Sequence, residues 1–207
     1  MKSLILFFLY LNLYATTYPT FTKNELQAIE REVSPLAIER IKKYTSTINT
    51  YKDLPKLEQL VKVNSFINKI LPKCNTLFID KKNHWTTPKE FLTYGRADCE
   101  DYAIIKYFTL LKLGFDEKKL FLTTSYDTIS RQTHMVLSYF SEDNNEPLIL
   151  DNLSIEVLEL NKRTDLLVSL FVNANGAYKL DNQTHLMKIA NGVTQFKDLL
   201  KRVEQEG

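Results

Sequence analysis

The chain has 207 residues, of which 44% are hydrophobic and 12% aromatic, and its 27 basic and 25 acidic residues give a net charge of +2. This length suits one domain with an apolar core, and the low glycine and proline content excludes a collagen-like or low-complexity chain. The balance of charges indicates no nucleic-acid partner, because a phosphate-binding surface needs an excess of clustered basic residues.

The first segment, residues 1–17, has the pattern of an export signal. Lys2 precedes an apolar run from Ser3 to Ala15, which has the length of a signal-peptide core and is short for a membrane-spanning helix. Leu13 is a poor match for the small residue that usually precedes a cleavage point. We therefore expect either a signal peptide or an uncleaved N-terminal anchor, and a protein that works outside the cytoplasm.

Helical patterns dominate the next part of the chain, residues 22–80. Residues 24–48 have helical periodicity that is broken near Ser34 and Pro35, and proline fits the first turn of a second helix. A further helix is predicted from Leu54 to Ile70, where apolar residues recur with a period near 3.6.

A short helix and then a buried helix are predicted in the centre of the chain. Thr87 and the residues after it resemble a capped helix start, which predicts a helix over 90–94. Gly95 lets the chain turn sharply. The next helix, over 99–113, is apolar on most of its surface, as a central helix of a core would be.

After Gly114 the hydrophobic period changes to two. This period predicts strands over 120–126, 133–140, 147–150, 166–172 and 177–180. The second and third strands are expected to form an antiparallel hairpin, and a final amphipathic helix is predicted over 194–204. Helices followed by antiparallel strands predict an α+β fold, in a single domain over 18–207.

Cys99 lies between acidic residues at the predicted first turn of the buried helix, in the motif Asp98-Cys99-Glu100-Asp101. Unpaired backbone N–H groups at a helix start stabilise a thiolate, which favours a nucleophilic role. The Cys99 N–H is also a candidate oxyanion donor. The alternative is a disulfide with Cys74, which an exported protein could form.

His134 and Asp151 are candidates for the base and the carboxylate that orients it. His134 lies near the start of one predicted strand and Asp151 follows the next. In an antiparallel hairpin the start of one strand lies beside the end of the next, so the two side chains can meet. His134 would then take the thiol proton and Asp151 would orient the ring. Both residues also have structural interpretations, as a buried histidine and a turn residue.

Asp98, Glu100 and Asp101 place three carboxylates around Cys99, where they would oppose thiolate formation. Clustered carboxylates suit a hard cation such as Ca²⁺, although the spacing is not that of an EF-hand. Alternatively, Glu100 and Asp101 only interact favourably with the helix dipole.

The remaining histidines are weaker candidates. His84 lies beside Trp85 in the loop before the short helix, and this pair could line a cleft. His185 lies in a polar stretch near the C-terminus and is expected at the surface.

Six segments together carry a family likeness: 85–91, 98–103, 134–137, 150–153, 163–166 and 175–178. They resemble the bacterial transglutaminase-like cysteine proteinases of the LapG type, over a core of about 82–180. The resemblance implies a papain-like, transglutaminase-type fold, in which a helix carrying the cysteine packs on an antiparallel sheet carrying the histidine and the aspartate. It implies Cys99, His134 and Asp151 as the catalytic triad. Ala97 departs from the family, where glycine is expected.

The same resemblance implies a calcium-dependent periplasmic endopeptidase, with Asp98, Glu100 and Asp101 as calcium ligands. Members of the family cut the N-terminal region of a large surface adhesin at a di-alanine site, which releases cells from biofilms. An inner-membrane receptor for cyclic di-GMP holds them in check. The alternatives are transglutamination or amide hydrolysis of a cell-wall peptide on the same fold, and a non-catalytic binding module.

Overall fold

In the computed structural model, residues 18–70, 84–95, 98–141, 146–181 and 185–207 are described. The predicted signal segment, Cys74 and Ala97 lie outside these described residues. Within the described ranges, no helix has both the length and the apolar character needed to cross a bilayer.

The helices of the described residues begin and end close to their predicted bounds. They are α1 (Lys23–Glu32), α2 (Pro35–Asn49), α3 (Lys56–Asn68), α4 (Pro88–Tyr94), α5 (Cys99–Lys112) and α6 (Thr194–Glu206). Pro35 starts α2, and the Ser34 hydroxyl accepts a hydrogen bond from the Leu36 N–H at 3.1 Å. Thr87 and Glu90 form a reciprocal capping box that starts α4. These local caps explain why the sequence pattern located the helix boundaries.

The strands of the described residues are β1 (Leu120–Asp127), β2 (Gln132–Tyr139), β3 (Leu148–Leu150), β4 (Leu158–Glu159), β5 (Leu166–Asn173), β6 (Gly176–Asp181) and β7 (His185–Ala190). They form one antiparallel sheet in the order β4-β3-β2-β1-β5-β6-β7. The predicted α+β fold with an antiparallel sheet is confirmed. Strands β4 and β7 were not predicted. Most of β7 is exposed on both faces, so its residues lack the apolar alternation that identifies a half-buried strand.

Helix α5 occupies the centre of the fold, and every residue from 101 to 111 is buried. It packs against β1 and β2 on one side and against α3 and α4 on the other. Its apolar residues share a core with Leu122, Leu137 and Leu150 of the sheet. Only the first two residues of α5 in its N-terminal turn, Cys99 and Glu100, are half-buried.

Helix α6 packs against the start of α4. Its apolar residues Phe196, Leu199 and Val203 are buried, and the Phe196 ring lies edge-on to Tyr107, with centroids 5.7 Å apart. At its C-terminal end, Glu206 accepts a hydrogen bond from the Thr87 hydroxyl at 2.8 Å. The last helix therefore supports the segment that leads to the cysteine.

Candidate active site

His134 and Asp151 meet at the open end of the β2–β3 hairpin. Leu137 pairs with Leu150 in the ladder, so Asp151 leaves the sheet close to the start of β2. The His134 Nε2 lies 2.7 Å from Asp151 Oδ1, and both side chains are buried. Asp151 Oδ1 also accepts the Leu153 N–H at 2.9 Å. The structure thus brings together two of the candidate residues in a fixed orientation.

Arg163 binds the second oxygen of the Asp151 carboxylate. The sequence pattern around Arg163 does not predict this contact. Its Nη2 donates to Asp151 Oδ2 at 2.7 Å and to Asp165 Oδ2 at 2.6 Å, and its Nε donates to Asp165 Oδ1 at 2.9 Å. Arg163 and Asp165 lie in segment 163–166, which is one of the segments that carry the family likeness. The carboxylate of Asp151 is therefore held by three donors, from His134, Leu153 and Arg163.

Cys99 has a free thiol. The sulfur lies 3.4 Å from Glu100 Oε2, and the Cys99 side chain is also among the groups that raise the pKa of the His134 ring. Since Asp151 occupies Nε2 of that ring, Nδ1 is the nitrogen left for the thiol. The Glu100 carboxylate is therefore the hydrogen-bond acceptor of the thiol in this structure.

Electrostatics favour a charged His134. Burial by itself lowers the pKa of this ring, but hydrogen bonds to Asp151 and Cys99 outweigh burial and raise the pKa to about 9. For Asp151, burial raises the pKa, whereas the hydrogen bonds from His134, Leu153 and Arg163 lower it more, to about 2. The pair therefore has the charge state of a carboxylate that supports an imidazolium.

The three acidic residues around Cys99 have different surroundings. Asp101 is buried, and its two oxygens accept the backbone N–H groups of Thr86 at 2.8 Å and Asp98 at 3.1 Å. Burial raises the pKa of Asp101 to about 6, and the nearby charge of Glu100 adds to the rise. Among the described residues, no group of three or more His, Cys, Asp or Glu side chains is arranged to hold a metal ion. The structure thus gives Asp101 a capping role at the start of α5.

His84 and Trp85, the candidate residues of a cleft, make contacts toward α6. The His84 Nε2 lies 3.3 Å from Glu90 Oε2 and 3.2 Å from Arg202 Nη1. The Trp85 ring packs edge-on against Phe196, and its carbonyl accepts a hydrogen bond from Arg202. These two residues fasten the loop before α4, and the adjacent Thr86 N–H is the one that binds Asp101.

Two asparagines of α3 hold the loop after β3. Asn68 Nδ2 donates to the carbonyl oxygens of Asp151 and Ser154 at 2.7 and 2.9 Å, and Asn64 Nδ2 donates to Ser154 O at 2.8 Å. The sequence pattern does not single out these asparagines, because polar residues within an amphipathic helix usually mark its solvent face. Asn64 and Asn68 are one helical turn apart on the side of α3 that faces the core, and this spacing is the sequence feature that could have identified them.

Residues 39–168 match the sequence model of a family described as bacterial transglutaminase-like cysteine proteinase, BTLCP. Among solved structures, calcium-bound Legionella pneumophila LapG is similar with a TM-score of 0.72 and 31% identity, over 88% of this chain and 99% of that chain. The EGTA-treated form of LapG gives a TM-score of 0.72 and 31% identity, over 89% and 99%. The comparison with curated proteins gave no match. The family match spans Cys99, His134 and Asp151.

Proposed function

The chain belongs to the bacterial transglutaminase-like cysteine proteinases, and we propose that it is an endopeptidase whose catalytic residues are Cys99, His134 and Asp151. One observation carries the assignment of these residues: the buried His134 ring hydrogen-bonds to the Asp151 carboxylate at 2.7 Å, and the neighbouring Cys99 side chain helps to raise the pKa of that ring. This is the arrangement in which a base activates a nucleophile and a third group orients the base.

The proposed reaction proceeds through a thioester. The Cys99 sulfur, with its proton on His134, attacks the carbonyl carbon of the scissile peptide bond. The imidazolium then gives its proton to the departing amine, so that the C–N bond breaks and an acyl-enzyme remains. Neutral His134 next takes a proton from water, which hydrolyses the thioester and restores the thiol. The Cys99 N–H at the start of α5 is the proposed donor to the negative oxygen.

The test compares Cys99→Ala with Cys74→Ser in the full chain. The protein would be incubated with adhesin N-terminal fragments that contain a di-alanine sequence, and the products identified by mass spectrometry. We expect Cys99→Ala to abolish cleavage and Cys74→Ser to retain it. Undiminished cleavage by Cys99→Ala would contradict the triad. Incorporation of an added amine in preference to hydrolysis would instead identify a transglutaminase.

We also propose that the enzyme binds calcium through Asp98, Glu100 and Asp101. Support comes from the relatives, since LapG of Legionella pneumophila was solved in calcium-bound and EGTA-treated forms, and from donor chemistry, since carboxylate oxygens are the ligands that Ca²⁺ prefers. Each oxygen of Asp101 accepts one N–H and retains a lone pair. The ion would supply positive charge that offsets the acids beside the thiol.

Calorimetry tests the metal without depending on activity. Chelator-treated protein would be titrated with CaCl₂, alongside Asp98→Asn, Glu100→Gln and the matched control Glu32→Gln, whose side chain is exposed on α1. We expect binding by the wild type and the control, and at least tenfold weaker binding by the two variants near Cys99. Absence of binding by the wild type, or full activity after chelation, would contradict the proposal.

The cellular role that we propose is cleavage of the N-terminal region of a large surface adhesin in the periplasm, under control of an inner-membrane cyclic di-GMP receptor. The apolar segment of residues 1–17 supports export, and the family supports the substrate and the regulator. Fractionation of cells that express the full chain tests the location. Deletion of the gene should leave the adhesin uncut and biofilms intact, and cytoplasmic protein or normal adhesin processing in the deletion strain would contradict this role.

A further inference from the structure

The last residues of helix α3 contact both halves of the proposed site. Asn68 is the final residue of α3, and its side-chain amide donates to the Asp151 carbonyl at 2.7 Å. Two residues later, the Ile70 carbonyl accepts a hydrogen bond from the Tyr102 hydroxyl at 2.7 Å. Tyr102 lies one turn into α5, the helix that begins at the proposed nucleophile. Residues 68–70, which we call the α3 terminus, are therefore hydrogen-bonded to the loop of the proposed carboxylate and to the helix of the proposed nucleophile.

The α3 terminus is firmly attached to the core. The Lys69 N–H donates to the Phe66 carbonyl at 3.1 Å, and the Ile70 N–H donates to the Ile67 carbonyl at 3.0 Å. These short-range bonds tighten the last turn of the helix. Ile67 is fully buried, and α3 packs against α5. A movement of the α3 terminus would disturb this packing, so the segment provides a rigid reference point for both contacts.

The Asp151 backbone lies just beyond the paired part of the β2–β3 hairpin. Leu150 belongs to the last residue pair of that ladder, and the carbonyl of the next residue is bound by Asn68. The Asp151 side chain is tied to the same loop, because its Oδ1 accepts the Leu153 N–H at 2.9 Å. A shift of this loop would therefore carry the carboxylate with it and change the 2.7 Å contact with His134.

The polar groups of Asn68 are used unequally. Its two N–H groups are directed at the Asp151 and Ser154 carbonyls, whereas its buried Oδ1 lacks a partner among the described residues. A buried acceptor without a partner costs free energy. The flipped amide would place its oxygen against two carbonyl oxygens, so the donors must face the loop. Asn68 is thus suited to holding the loop and contributes little to α3 itself.

We propose that the α3 terminus fixes the distance between Cys99 and the His134–Asp151 pair, with Asn68 and Tyr102 as positioning residues. This proposal rests on the proposed function of the three catalytic residues. Loss of either hydrogen bond lets one half of the site shift relative to the other. A misplacement of about 1 Å can lower turnover by about 10²-fold. Because neither contact involves the substrate, the loss falls on kcat and leaves KM in place.

A purely stabilising role of these contacts makes different predictions. Asn64 is the comparison for Asn68, because it lies one turn earlier on α3 and donates to the same loop at 2.8 Å, at the Ser154 carbonyl. Tyr44 is the comparison for Tyr102, because its buried hydroxyl is hydrogen-bonded to a later turn of α5 at 2.8 Å. If the contacts only stabilise the fold, the matched substitutions within each pair should have equal effects on turnover.

The experiment measures kcat and KM of the full chain on the adhesin fragment for Asn68→Leu and Tyr102→Phe, with Asn64→Leu and Tyr44→Phe as matched controls. Each substitution removes hydrogen bonds with little change in the shape of the side chain. We expect Asn68→Leu and Tyr102→Phe to lower kcat by about tenfold or more at unchanged KM. The two controls should have a kcat close to that of the wild type.

The double variant Asn68→Leu/Tyr102→Phe tests whether the two contacts act as one unit. Once one contact is lost, the α3 terminus no longer connects the two halves of the site. The second substitution should then lower kcat by a further factor of about two or less. A loss equal to the product of the two single losses would show that the contacts are independent, and it would overturn the proposal.

A second measurement needs no substrate. In the full chain labelled with ¹⁵N-histidine, the ring shifts of His134 report which ring nitrogen carries the proton, and His134→Gln assigns the signals. Asn68→Leu should change these shifts, because it loosens the Asp151 loop that orients the ring. Asn64→Leu should leave them as they are in the wild type.

Several outcomes would overturn the proposal. They are an unchanged kcat in folded Asn68→Leu or Tyr102→Phe, unchanged ring shifts in Asn68→Leu, and an equal loss in Asn64→Leu. Asn68→Ala takes the place of Asn68→Leu if the latter does not fold. If neither folds, the amide is required for folding itself and the proposal fails. The triad is tested separately: cleavage by Cys99→Ala would contradict the proposed function, and the His134 ring shifts would still decide the role of Asn68.

Discussion

The two halves of the site are held in different ways. In the base half, the His134 ring and the Asp151 carboxylate are buried, and each oxygen of Asp151 has a donor. In the thiol half, Cys99 is only half-buried and stands at the start of a helix, where Asp101 caps the first turn. The sheet thus fixes the proposed base before any substrate arrives. The position of the proposed nucleophile depends on a helix start and on the loop packed against it.

The largest effect is expected from Asp151→Asn, which tests whether the base half works as a unit. The amide retains an acceptor for His134 but lacks the charge that supports the imidazolium, and it can also select the wrong ring tautomer. We expect kcat to fall by about 10³-fold, measured on the adhesin fragment.

Asp165→Asn is the matched control for that change, because Asp165 contacts Arg163 and not His134. It should lower kcat by less than about tenfold. Equal losses in the two variants would mean that the whole ionic cluster, and not the contact with His134, limits the reaction.

The next effect concerns stability in the base half. Arg163→Met leaves the buried Asp151 carboxylate without its charged partner, and loss of one member of a buried pair is strongly destabilising. We expect the free energy of unfolding in urea to fall by about 3 kcal/mol. Lys162→Met removes a neighbouring surface pair with Glu159 and should cost about 0.5 kcal/mol or less. Similar values for the two variants would show that the Arg163 contact is not part of the folded core.

The base half also predicts how stability depends on pH. The pKa of His134 is raised from 6.5 to about 9. The contribution of His134 to the free energy of unfolding is therefore fully present below pH 6.5 and is lost as the pH rises through 9. The pKa of Asp151 is lowered from 3.8 to about 2. The contribution of Asp151 to the free energy of unfolding is therefore present above pH 3.8 and is lost as the pH falls through 2.

The difference in unfolding free energy between wild type and His134→Gln should therefore shrink by about 2 kcal/mol between pH 6.5 and 9.5. Between pH 5 and 6.5 the same difference should change little, which serves as the internal control. A difference that is constant up to pH 9.5 would mean that His134 is not held as a cation by its neighbours.

The sequence predicted much of the base half and less of what supports it. Cys99, His134 and Asp151 stand at the ends of elements whose periodicity is clear, so a hairpin and a helix start were enough to identify them. Arg163 reaches Asp151 from the connection between β4 and β5, 12 residues further along the chain. Periodicity reports which face apolar residues bury, and it does not report polar residues that are buried by pairing with distant groups.

The smallest effect is expected in the thiol half, from Arg202→Ala in α6. Arg202 donates to the Trp85 carbonyl and to Glu90 Oε2, the latter at 3.0 Å, and so holds the loop whose Thr86 N–H binds Asp101. Its loss should reduce the unfolding free energy by about 1 kcal/mol and kcat/KM by less than about tenfold.

Lys201→Ala, at a side chain that is 73% exposed, is the matched control and should change neither. If Arg202→Ala lowers stability but leaves kcat/KM unchanged, the loop supports the fold without influencing Cys99. A fall in both would show that the thiol half is tuned by contacts made far along the chain, in contrast to the base half, whose geometry is set within the sheet.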